Sequence, residues 1–177
     1  AGEMCYFSAC LAGRSQAKLL AISAAKNRLQ CKLEREPPAM GKASDINLKT
    51  VENSTRAFQY RQPMKFGGRV VEDVCVLRTE VSVTQVGGRK KTVGVGEMTM
   101  GNAWAWPSKI PSKVTLKLLI ELAKRLAARA QDASLTGDPL QITQRIGKLR
   151  DAISSEMVQE YKITEPIPKL AAMMAAS

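Results

Sequence analysis

The clearest alternation of apolar and polar positions runs over residues 74–86. There Val74, Cys75, Val76, Leu77, Val81 and Val83 place β-branched and aliphatic groups on both faces at the start and on one face later, which predicts a strand. Gly87-Gly88 marks a turn, and residues 92–98 return as the antiparallel partner. Gly94 and Gly96 weaken that return strand, so they predict a bulge or a close backbone approach. Upstream, Ile46, Leu48, Val51, Thr55 and Phe58 recur through a polar stretch ending at Tyr60. Pro63 is expected to stop that first strand, because proline cannot continue a central ladder. Residues 62–69 then read as one loop, rich in glycine, and residues 98–106 as a second.

Downstream the period changes to that of a helix. Ser112 is expected to N-cap a helix through about Gln131, with Leu116, Leu119, Ile120, Ala123, Leu126, Ala127 and Ala130 on one face. Gly137-Asp138-Pro139 resets the chain, with Asp138 as N-cap and Pro139 at the first helical position. Ile142, Ile146, Leu149, Ile153 and Met157 form a second apolar stripe, expected in the core. Glu165-Pro166-Ile167-Pro168 ends the helical region, since each proline disfavours helix in the residue before it. Residues 169–177 are apolar almost all round, as in a buried helix, with almost nothing left in the chain to bury them. The pattern is that of a small antiparallel sheet followed by helices packed on its face, an α+β arrangement.

Composition narrows the chemistry. The 177 residues are 45% hydrophobic and 24% charged, which suits one ordinary globular domain with attached segments, and only 5% aromatic, so its core must be aliphatic. No apolar run approaches the roughly 20 residues that span a bilayer, so no membrane role is expected. The net charge of +11 draws attention to polyanions, but the basic residues are scattered and no nucleic-acid motif accompanies them; the only tight run, Arg89-Lys90-Lys91, follows a glycine turn. Nucleic acid is not the expected partner. The chain has no histidine, which removes histidine triads and H-E-x-x-H zinc sites. Cys5, Cys10, Cys31 and Cys75 lack zinc-site spacing and read as free thiols of a reducing, cytoplasmic compartment.

Three short motifs are set aside. Gly94-Val95-Gly96 has Thr99 where a dinucleotide fingerprint needs glycine, and Gly41-Lys42 has Glu36 where a P-loop needs its leading glycine. Asn53-Ser54-Thr55 matches a glycosylation acceptor, a pattern that often arises by chance.

The order of strand, Lys65-Phe66-Gly67-Gly68 loop, strand, glycine hairpin, strand with Gly94-x-Gly96-Glu97, then Gly101-Asn102-Ala103-Trp104 and helices resembles the amino-terminal capping domain of the enolase superfamily. More narrowly it resembles the mandelate racemase and muconate lactonizing branch, over about Ile46 to Ser177. The resemblance implies an α+β fold, a three-stranded antiparallel meander followed by a helical bundle, that caps a (β/α) barrel, with two loops lining the active site. It implies substrate-facing roles for Lys65, which would pair with an anionic group, for Phe66 and Trp104 as pocket walls, for Met98 and Asn102 as further substrate-binding residues, and for Gly67 and Gly68 as a mobile turn. The implied reaction removes a proton next to a carboxylate and stabilises the resulting enediolate with Mg²⁺, so the substrate is a carboxylate-bearing small molecule and the parent enzyme an isomerase or lyase. On this reading residues 1–44 are an extension, 45–165 the capping domain and 166–177 the start of a barrel. Metal ligands and bases have no counterpart in this sequence, so no residue of this chain is catalytic and the cap alone is expected to be inactive. The rival expectations are a stand-alone basic module for a polyanion, or a subunit docking on a separate barrel chain through residues 170–176. A homo-oligomer is compatible with each.

Overall fold

A computed structural model of the chain describes residues 42, 44–66 and 69–176. Contacts divide the chain into two units, Ala1–Ala39 and Met40–Ser177, and only the second falls within the described residues. The expected extension's Cys5, Cys10 and Cys31 lie outside them.

The described residues form an α+β fold with a four-stranded antiparallel sheet and four helices. Strands β1 (Ile46–Phe66), β2 (Arg69–Gln85) and β3 (Lys91–Thr99) follow one another in the sheet, and a two-residue β4 (Thr136–Gly137) joins the far side of β1. Helix α1 (Asn102–Ala105) is one turn; α2 (Ser112–Asp132) and α3 (Pro139–Glu160) are long; α4 (Lys169–Met174) follows the double proline.

The β2–β3 hairpin follows the alternation of its apolar positions. Gly87 has φ of 77°, a left-handed turn conformation that glycine adopts at no steric cost, and Gly88 N–H donates to Gln85 O at 3.0 Å to close the turn. Two expectations fail in this hairpin. The β2–β3 register is unbroken from Val76↔Thr99 to Thr84↔Lys91, so the glycines make no bulge. Nor does Gly94 allow a close approach within the chain, since a Cβ built there meets nothing within 4 Å.

The bulges are in β1 instead. The register with β2 shifts between Leu48 and Thr50 and again between Gln59 and Met64. The second shift leaves Tyr60 to Pro63 without paired partners, and this corrects the expectation that Pro63 ends the strand. Its missing N–H falls where no ladder bond is required, and β1 pairs on to Phe66↔Arg69. The stretch expected as the first loop is thus the end of a long ribbon.

The first bulge decides which residues face the helices. Leu48 and Val51 come to the same side and meet Val81, Val83, Ala130, Leu135 and Ile142 in a buried cluster. Leu77, on that side of β2, is 1% exposed. Asn53 shares the face and joins the layers: its Nδ2 donates to Ala123 O at 2.9 Å and its Oδ1 accepts from Thr79 Oγ1 at 2.9 Å. The amide of the apparent glycosylation acceptor is therefore engaged beneath α2.

In α2 the buried residues are Thr115, Leu118, Leu119, Leu122, Ala123, Leu126, Ala127 and Ala130, so Leu118 and Leu122 take the covered places expected for Leu116 and Ile120. The helix packs on the sheet and on other helices at once, which rotates the covered stripe. Ser112 is its first residue rather than its cap; Pro111 holds the cap position and no side chain caps the end. The start of α3 is as expected, with Asp138 Oδ1 accepting from Leu140 N–H at 2.9 Å and Pro139 behind it. Ile142, Leu149, Ile153 and Met157 are buried along it.

Charged pairs bind α2 to α3. Arg125 meets Glu121 at 2.8 Å and Glu160 at 2.6 Å, with its guanidinium 5.7 Å from the Tyr161 ring centre, and Arg129 pairs with Glu156. The hydrogen bonds that Arg125 donates to Glu160, and next to Glu121, raise its pKa further. Helix α4 corrects a further expectation. Ala171, Ala172 and Met174 are buried where α4 packs on α1, α2 and α3, so the final apolar segment finds its cover within this unit.

Candidate substrate-facing surface

Ser108 ties together three parts of the chain that are remote in sequence. At the end of the β1–β2 ribbon, Arg69 Nη2 donates to Ser108 O at 2.7 Å. Ser108 Oγ accepts from Ile110 N–H at 2.9 Å and donates to Glu165 Oε1 in the segment between α3 and α4. The ribbon end, the α1–α2 connection and the α3–α4 connection are thereby held at one end of the unit. Sequence reasoning missed Ser108 and Glu165, which are 57 positions apart and carry no motif.

The expected site residues distribute unevenly around this junction. Lys65 and Phe66 lie at the ribbon end, exposed, with Phe66 at 46%. Gly67 and Gly68 lie outside the described residues. Met98 is half-buried on the helix side of β3, opposite Leu77. Asn102 has its amide engaged: Nδ2 donates to Ser112 O and Thr115 Oγ1, which fixes α1 against the start of α2. Trp104 is 44% exposed, and a Cβ at Gly101 would come 2.9 Å from its Nε1, so glycine there lets the indole lie back over the chain. The other tryptophan is the anchor. Trp106 is 2% exposed, and its Nε1 is buried without a hydrogen-bond partner.

What remains open to a ligand at this end is Lys65, Phe66 and Trp104, with the cations Arg69, Lys109 and Lys113 nearby in the same segments. No family model matches this chain, nor does any curated protein or solved structure.

Two clefts elsewhere among the described residues are small. One of about 150 Å³ lies on the sheet face away from the helices, among Ser54, Arg56, Phe58, Val76, Arg78 and Glu97. The other, about 70 Å³, is an apolar gap between sheet and helices beside Leu48 and Ala127. Both fall below the ~300 Å³ of ordinary small-molecule pockets. Among the described residues no group of three or more His, Cys, Asp or Glu side chains could hold a metal, so Mg²⁺ has no fitting ligand set among them. Cys75 is a half-buried free cysteine whose pKa is raised by burial and, second, by Asp73, which disfavours the reactive thiolate. No described helix is long and apolar enough to cross a membrane.

Proposed function

We propose that this chain is the substrate-capping portion of an enzyme of the enolase type, in the mandelate racemase and muconate lactonizing branch. It covers a carboxylate-bearing small molecule while a barrel, on the same or another chain, supplies the metal site and the base. The observation that carries the reading is the Arg69–Ser108 hydrogen bond, which joins the ribbon end to the connection following the Trp104 helix. Exposed aromatic surface at Phe66 and Trp104 and a free-standing cation at Lys65 then share one end of the unit, as a lid over an anionic substrate requires. Ser108 and Glu165 make that end rigid, and Lys65 supplies the charge that orients the carboxylate. The chain's part in the reaction is binding, orientation and exclusion of water.

The test is a split between binding and turnover. The substrate is first found by exchange of the α-proton into D₂O, using a panel of 2-hydroxy acids and acid sugars and the protein expressed from its natural gene. Lys65→Ala then raises KM about tenfold or more, the loss of one charge-assisted contact, while kcat moves far less. Trp104→Ala weakens substrate affinity and leaves metal affinity unchanged. Unchanged KM in both variants, or lost metal with unchanged substrate affinity, would overturn the assignment.

A further inference from the structure

The free edge of β3 is self-complementary, and we propose that it pairs antiparallel with β3 of a second copy of this chain about a two-fold axis at Gly94. This pairing is independent of the capping role. Strand β3 ends the sheet order, and among the described residues no strand pairs with its outer side. Met100 N–H donates to Cys75 O at 2.7 Å, so by the alternation of an antiparallel ladder the even positions of β3 turn their backbone groups to β2. Lys91, Val93, Val95 and Glu97 therefore present theirs to the open edge.

An unprotected nine-residue edge is a template for another strand. This one carries neither proline nor bulge, and its central valines are exposed, Val93 at 54% and Val95 at 53%. With Gly94 opposite Gly94 of the second copy, every other pair falls into place. Val93 faces Val95 and Val95 faces Val93, which gathers four valines on the face away from the helices. Lys91 faces Glu97 at both ends of the same face, giving two cross-strand ion pairs. No side chains meet at the axis, where glycine faces glycine. A contact of this kind closes on itself, so it makes a dimer with one continuous sheet of eight strands rather than a fibre. Glu97 already meets Arg78 at 3.2 Å, but Arg78 keeps Glu80 at 2.7 Å, so Glu97 is not required to hold Arg78 in place.

Charge exchange tests the register. Light scattering on the 177-residue chain over a concentration series is expected to rise from 19.3 kDa toward twice that mass. Glu97→Lys and Lys91→Glu each set like charges opposite one another twice and should weaken the dimer about tenfold or more. The two single variants mixed together, or the double variant Lys91→Glu with Glu97→Lys, should restore it. Circular dichroism confirms folding of each variant, and Lys91→Glu, at an exposed position, serves if Glu97→Lys does not fold. A wild-type mass of 19.3 kDa throughout, single variants that still dimerise, or no rescue on mixing each overturn the proposal.

Discussion

Replacing Trp106 by alanine is expected to remove more stability than any other single substitution near the candidate surface. Its ring is among the largest fully buried side chains and stands where α1 ends, beneath the connection that carries Ser108. Truncating a buried tryptophan costs about 3–5 kcal/mol, because the lost transfer energy and the residual cavity add. In a domain of this size that lowers Tm by at least about 6 °C. Trp106→Phe should cost much less, since the indole N–H has no partner to lose. Thermal unfolding of both variants checks this, and an alanine variant that melts with the wild type would place the anchor elsewhere.

The second large effect separates the two faces of the sheet. Leu77→Ala should destabilise by about 2–5 kcal/mol, as it opens a cavity on the helix side. Phe58→Ala, on the opposite face and 47% exposed beneath the Arg56 guanidinium at 6.0 Å, should stay within about 1 kcal/mol. Denaturant titration of the pair reads the facing directly. The reverse order would mean that β1 and β2 are paired one residue away from the Thr55↔Leu77 register, since a one-residue slip turns every side chain to the other face.

Those faces were only partly legible in the sequence. The alternation of Val74 to Val83 marks β2 because nothing interrupts it, and Asp138-Pro139 marks the start of α3 because both residues act locally. The end of β1 was hidden because Pro63 reads as a stop, and only the partner strand reveals that it sits where no ladder bond is required. The first bulge hid the facing of Leu48 and Val51 in the same way. Of Trp104 and Trp106, two residues apart, the structure buries the second because a one-turn helix ends between them. Periodicity has no means of choosing. The Ser108 junction was least legible of all, since it depends on contacts between elements that only the folded chain brings together. Asn102 carried its substrate-facing expectation through the resemblance alone, and its amide is engaged with the start of α2.

Helix α4 narrows the choice of partners. Its alanines and Met174 are covered inside the unit, so a docking surface built on the whole of residues 170–176 does not hold, although Leu170 and Met173 remain exposed, at 45% and 52%. On the capping proposal, a catalytic barrel would meet the end of the unit that carries Lys65, Phe66 and Trp104.

The most direct test is the mass of the native particle purified from the natural source, together with the intact mass of each chain in it. A unit that caps a barrel should carry roughly 200–250 further residues, either in the same chain or in a tightly held second one. A particle made only of 19.3 kDa chains, whether one copy or two, would contradict the capping role.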